Sequence, residues 1–339
     1  MDKVKVGIIG CGVAADTHIR ELIKFENLEL RAFFDIDHTK AKSLALKVGG
    51  TAFSCLNDFL KEKLDAVYIC TPPNTHAKLI QRVANKNFAI FVEKPLDTNV
   101  KRAEEIVKLV ERKRIINQIG FNFRFASNVL KVKELARKMK LKFRFFHASW
   151  LGSLPQLPKW WKSYRITGGM INEQTSHLFD LIRFVVGEVN EVFCERKRLF
   201  YKLNNFTNED TIIAILKLQD GSYGSIVASC GAHFTRSLGF AEYIPFWHTQ
   251  YIGCVFLTKE LTFELLGTSK LILNDGRRRI EYENFRSTYL EEDRAFLNSI
   301  LKNKESPVPF REGLKTLYVI DAAKKSSKVR KFVKVRKSD

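Results

Sequence analysis

The chain has 339 residues, 45% apolar and 28% charged, which allows two domains with a sizeable core and excludes a disordered polymer. Lysine and arginine (57) outnumber aspartate and glutamate (37) by a formal +20, yet no nucleic-acid motif accompanies the excess; the basic runs read as solvated faces, and nucleic acid is not expected as a partner. Six scattered cysteines form neither a disulfide framework nor a metal-ligand spacing, and no apolar stretch approaches the roughly 18 residues of a membrane span, so a cytoplasmic protein without metal or membrane attachment is expected.

From Lys3 to about Gly120, strands and helices alternate. Apolar runs at Val4–Ile9, Leu28–Phe34, Ala66–Cys70, Phe88–Val92 and Ile115–Ile119 are separated by helical patterns, including Thr17–Phe25, His76–Asn85 and Val100–Lys113. That rhythm predicts a doubly wound parallel sheet of Rossmann type over residues 1–121. The first strand runs into Gly10-Cys11-Gly12-Val13-Ala14-Ala15. Gly10 allows a sharp turn, Gly12 lets the backbone approach a pyrophosphate, and Ala15 is small enough for close helix–strand packing. The helix N-terminus then offers amides to phosphate. Asp35 closes the second run at the distance of a ribose-binding acid; its carboxylate favours NAD over NADP, while His38, Lys40 and Lys42 leave NADP open. A plainer role for Asp35 is a helix cap. Thr71-Pro72-Pro73-Asn74 falls at a strand end facing the same crevice, with Asn74 or Thr75 placed to cap the next helix. Glu93-Lys94-Pro95 also ends a strand, which puts Lys94 within reach of a bound nicotinamide.

Residues 122–339 read as an α+β domain, with a large, mostly antiparallel, open-faced sheet and a basic C-terminal tail. Helices are expected at Val129–Met139, Gly169–Val186 and Glu312–Ser326. Strands are expected at Phe143–Trp150, Glu191–Tyr201, Thr211–Leu218, Tyr223–Cys230, Tyr251–Leu257 and Leu271–Leu273, with turns at Gln219-Asp220-Gly221 and Asn274-Asp275-Gly276. Loops at Leu151–Trp161 and His233–Trp247 are the expected pocket walls. Within the long central helix, Glu173 and His177 stand four apart, so one face carries a carboxylate beside an imidazole, the arrangement of a general base. The same spacing also suits a surface ion pair. The upstream stretch from Trp160 through Trp161 to Arg165 can wall a polar-ligand pocket.

Four stretches together, Gly10–Ala15, Cys70–His76, Glu93-Lys94-Pro95-Leu96 and Gly168 to Asp180, resemble the Gfo/Idh/MocA oxidoreductases over nearly the whole chain, and Tyr289–Phe296 is similar to that family's closing helices. The resemblance implies NAD(P)-dependent hydride transfer to or from a secondary alcohol of a sugar, cyclitol or related polyol. It implies cofactor contacts at Gly10, Gly12, Val13, Ala14, Asp35, Thr71, Pro72, Asn74, His76, Glu93 and Lys94. It also implies that Lys94 and His177 act on the substrate hydroxyl, with Glu173 standing where the family usually has aspartate. Asn122 and Arg124, in a segment matching the family's domain crossover, join Trp161, Arg165, Glu173 and His177 as expected substrate contacts. A homodimer or homotetramer through the C-terminal sheet is implied as well. An NAD-dependent glycosidase and a non-catalytic ligand sensor of the same fold are the alternatives.

Overall fold

A computed structural model describes residues 3–152, 158–202, 205–232, 250–284 and 286–337. The loop expected at 233–247, and residues 153–157 of the one expected at 151–161, lie outside the described residues. The chain divides into two compact units, one of residues 1–121 and 289–314, the other of residues 122–288 and 315–339. A single cut after residue 121 therefore does not describe the division, because the chain returns to the first unit near its end.

The first unit runs β1 (Val4–Ile9), α1 (Val13–Leu22), β2 (Leu28–Phe34), α2 (His38–Val48), β3 (Thr51–Phe53), α3 (Leu56–Phe59), β4 (Ala66–Ile69), α4 (His76–Ala84), β5 (Ala89–Glu93), α5 (Val100–Arg112) and β6 (Asn117–Gly120). All neighbouring strands are parallel, in the order β3-β2-β1-β4-β5-β6. The strand order reverses between β1 and β4, so the carboxyl ends of those two strands, carrying Gly10 and Thr71, flank the point where open sheets of this kind bind ligands. Strands β4 and β5 are buried at every residue because helices cover both faces, which is why they read as continuous apolar runs. Helix α1 buries Ala15, His18, Ile19 and Leu22, a stripe of helical period. It starts four residues before the Thr17 expected from periodicity, since Val13-Ala14-Ala15 also completes the glycine turn and reads as part of it. β3 was not expected; three partly exposed edge residues are too short for alternation to register.

In the second unit α6 (Ser127–Lys138) precedes β7 (Phe145–Gly152), followed by the short α7 (Tyr164–Thr167) and α8 (Met170–Glu173) and by α9 (Ser176–Val185). Strands β8 (Val189–Lys197), β9 (Thr211–Leu218), β10 (Tyr223–Ser229), β11 (Gln250–Leu257), β12 (Thr262–Leu266), β13 (Lys270–Asn274) and β14 (Arg279–Glu283) come next. Then follow α10 (Thr288–Leu301), which leads back into the first unit, α11 (Phe310–Val329) and β15 (Val333–Lys334). The nine strands form one sheet in the order β14-β13-β12-β11-β7-β10-β9-β8-β15, parallel at β7–β10 and antiparallel at every other pair. One face packs on Val129 and Val132 of α6, Leu178 and Ile182 of α9, and Val319 and Ala323 of α11. Strand β9 shows the alternation: Ile212, Ala214, Leu216 and Leu218 are buried, while Thr211, Ile213, Ile215 and Lys217 look the other way.

The expected helix over 169–186 is in fact two. At Gln174–Thr175 the ladder breaks: the Thr175 amide reaches back five residues to Met170 O and the His177 amide only three, to Gln174 O. Strands β12, β14 and β15 were not expected either. β14 is fully exposed and charged, and β15 lies in the basic tail, where it pairs Val333 with Val192. No helix among the described residues is long and apolar enough to cross a membrane.

Candidate active site

In the first unit the glycine turn is built for backbone approach. Gly10 has φ +89°, and a Cβ there would stand 2.7 Å from Thr71 Cγ2 and 2.8 Å from the Cys70 carbonyl, so only glycine fits between β1 and β4. Gly12 is the N-cap of α1 without any side-chain cap, and a Cβ there would meet nothing within 4 Å. The amides of the first turn, Val13 and Ala14 among them, therefore open onto free space at the positive end of a ten-residue helix. A dinucleotide pyrophosphate fits that cradle. Asp35 Oδ2 accepts the Cys11 amide at 2.7 Å and its Oδ1 the Asp37 amide at 2.9 Å, tying the glycine turn to the end of β2. Capping of α2 falls to Asp37, which accepts the Thr39 amide. Each Asp35 oxygen keeps a further lone pair for a ribose hydroxyl.

Around the ends of β4 and β5, His76 is fully buried, with Nδ1 2.8 Å from Pro95 O and Nε2 2.8 Å from Thr71 O. It ties the Thr71-Pro72 turn to the Lys94-Pro95 segment; burial holds its pKa below the ordinary value although both nitrogens face carbonyls. The Thr71 hydroxyl pairs with Thr75 at 2.7 Å, and Thr75 in turn donates to Pro72 O. Neither Asn74, which is exposed, nor Thr75 caps α4 through a side chain. The acceptor is Asp97, fully buried, whose carboxylate takes the Ala77 amide at 3.3 Å and the Arg102 guanidinium at 2.7 Å. Lys94 is half-buried, and Glu93 Oε2 accepts its amide at 3.0 Å.

In the second unit, His177, in the first turn of α9, packs against a pair of stacked aromatic rings, Phe123 at 4.7 Å and Trp150 at 5.8 Å between ring centroids, which are themselves 5.7 Å apart. Trp150 is oriented by its own bond, Nε1 to Gln250 Oε1 at 2.7 Å. Trp161 donates from Nε1 to Glu173 Oε2 at 2.7 Å, so the structure brings two expected substrate contacts together. Glu173 ends α8 and His177 lies beyond the break, so the two do not share one regular helix face. Arg124 is buried and grips Asp180 with two bonds of 2.7 Å, and Asp180 also accepts from Thr316 at 3.0 Å. Asn122 donates to Thr288 at 2.9 Å, and Arg165 is exposed. At Gly169, φ is +97° and a Cβ would stand 2.5 Å from Glu209 Oε1, the atom that accepts the Ile171 amide. Phe123, Trp150 and Glu209 were not anticipated; an aromatic at a strand end or an acid after a loop reads as core or surface, and no local signal sets them apart.

Two family models match the chain: "Oxidoreductase family, NAD-binding Rossmann fold" over residues 4–121 and "GFO/IDH/MocA C-terminal domain" over residues 129–269. The myo-inositol 2-dehydrogenase of Thermotoga maritima is 26% identical over 340 residues, covering 98% of each chain. An inositol 2-dehydrogenase of Rhizobium meliloti is 25% identical over 331 residues, covering 95% of this chain and 96% of its own. Among solved structures, a levoglucosan dehydrogenase in complex with NADH superposes with a TM-score of 0.88 at 17% identity, covering 99% of this chain and all (100%) of that one.

Proposed function

We propose that this chain, which belongs to the Gfo/Idh/MocA oxidoreductase family, transfers a hydride between a nicotinamide and a secondary alcohol, or the matching ketone, of a sugar or cyclitol. The observation that carries the reading is the open, uncapped N-terminus of α1 behind Gly12, a cradle with room for a pyrophosphate. Relatives named as inositol 2-dehydrogenases, matching nearly end to end, support the polyol as substrate class.

In this reading Gly10, Gly12, Val13 and Ala14 hold the pyrophosphate through backbone, and Asp35 accepts from the adenosine ribose. Thr71, Pro72, Asn74, His76 and Glu93 shape the nicotinamide end. Bound there, the nicotinamide gives or takes the hydride. Lys94 steadies the charge that develops on the substrate oxygen, and His177 holds or releases the hydroxyl proton at a ring nitrogen. Glu173 assists His177, and Trp161 and Arg165 face the polyol. Asn122 and Arg124 keep their segment and α9 in place through Thr288 and Asp180. Six thiols, none in a disulfide, support a reducing cytoplasmic setting.

The experiment is a panel of inositols, sugars and sugar acids, each with NAD and NADP, followed by nicotinamide absorbance. A polyol-dependent signal with NAD preferred is expected, and Asp35→Ser should erase the preference by removing the charge that repels a 2′-phosphate. Tighter NADP binding by the wild type would overturn the Asp35 role. Glycoside cleavage with retained NAD and no net reduction would favour the glycosidase instead.

A further inference from the structure

His18, on the second turn of α1, is completely buried, with Nδ1 2.8 Å from Asp293 Oδ1 and Nε2 3.1 Å from Glu93 Oε1. An ionised carboxylate can only accept, so a ring set between two of them donates from both nitrogens and carries a charge. Tyr68, Phe91 and Tyr289 surround the imidazole at centroid distances of 5.4, 4.8 and 5.3 Å, each turned steeply to its plane, and shield it from water. Burial opposes the charged ring, but Asp293 and then Glu93 outweigh it and hold the pKa well above the ordinary histidine value. Burial likewise pushes the Glu93 carboxyl up, and His18 outweighs that and draws it down; for Asp293 burial prevails. Glu93 spends its second oxygen on the Lys94 amide. A Cβ on the neighbouring Gly120 would stand 3.2 Å from that same oxygen, so the carboxylate is confined on that side too.

Desolvating such charges costs on the order of several kcal/mol per ion, so apolar side chains of equal volume would serve helix packing at least as well. What the charged set adds is direction. We propose that His18 is a positioning residue for Lys94: anchored by Asp293 on α10, it clamps Glu93, and Glu93 sets the main chain from which that lysine projects. The inference rests on the catalytic reading of Lys94, and it makes the returning segment 289–314 part of the apparatus that holds that residue.

The test compares His18→Gln, Lys94→Ala and the double variant with the wild type. Amide hydrogen exchange is measured without cofactor, and kcat and KM with the most active substrate of the panel. In His18→Gln the Lys94 amide should exchange about tenfold faster, with the amides of β1 and β2 as protected as before. kcat should fall about tenfold at unchanged KM, and the double variant should be no slower than Lys94→Ala, as expected when one residue acts through the other. An unchanged Lys94 exchange rate, or losses that multiply in the double variant, overturns the clamp. Full turnover in Lys94→Ala overturns the role of Lys94 instead, and the exchange rates then decide the clamp alone. If His18→Gln does not fold, Asp293→Asn takes its place in the exchange measurement: faster Lys94 exchange supports the clamp, and an unchanged rate overturns it.

Discussion

Lys94 and His177 are held by different means, and their replacement should read differently. Lys94 owes its place to main-chain bonding at Glu93, so Lys94→Ala should lower kcat at least about a hundredfold while NADH affinity, read by fluorescence titration, stays within about threefold. Turnover within tenfold of wild type would remove it from the chemistry. His177 packs against the stacked rings of Phe123 and Trp150, and His177→Ala should slow turnover by roughly two to four orders of magnitude and delete an ionisation from the pH profile of kcat/KM. Glu173→Gln keeps an oxygen for the Trp161 indole but removes the charge; a downward shift of that ionisation ties Glu173 to the imidazole, and an unchanged profile leaves it as the partner of Trp161. The glycine turn and the strand-end places of Asp35 and Lys94 were legible because strand ends and tight turns leave local marks. Asp97 as the cap of α4 was not, since its partner Ala77 lies twenty residues earlier and only the fold brings them together.

Among the elements, the break between α8 and α9 changes the meaning of a four-residue spacing. Periodicity saw one helix because Ile171, Leu178 and Ile182 keep an apolar stripe through the break. What it could not see is the hydrogen-bond ladder, which fails at Gln174–Thr175. Helix α9 is then placed by Asp180, which is buried against Arg124 and Thr316. Removing that carboxylate takes two bonds of 2.7 Å from the buried Arg124 guanidinium. Asp180→Ala should therefore cost about 3–5 kcal/mol of unfolding free energy, measured as a shift in urea midpoint at constant slope. A cost below about 1 kcal/mol would mean that the guanidinium finds other company.

At the scale of the molecule, the nine-stranded sheet has one face packed under helices and an opposite face bearing Phe145, Ile213 and Tyr223, which are 41%, 50% and 41% exposed. Register sets Ile213 beside Val227, and Phe145 beside both Tyr223 and Leu257, two exposed apolar groups separated by the hydrogen-bonded His147 and Ser225, a mixture that suits an interface. We expect a homodimer or homotetramer through this face in sedimentation velocity, and a smaller species for Ile213→Asp; a monomeric wild type at micromolar concentration would refute it. Alternating βα rhythm, strand-end glycines and the run of acid, lysine and proline are local properties of a chain, because backbone geometry and side-chain period act over a few residues. From them the parallel sheet, the cofactor class and the place of Lys94 at the end of β5 could be read before any tertiary structure. The clamp on Glu93, the aromatic seat of His177, the grip of Arg124 on Asp180 and the return of residues 289–314 to the first unit join segments far apart in the chain. Buried polar groups must find partners wherever folding puts them, and that satisfaction is a long-range condition which no local pattern encodes.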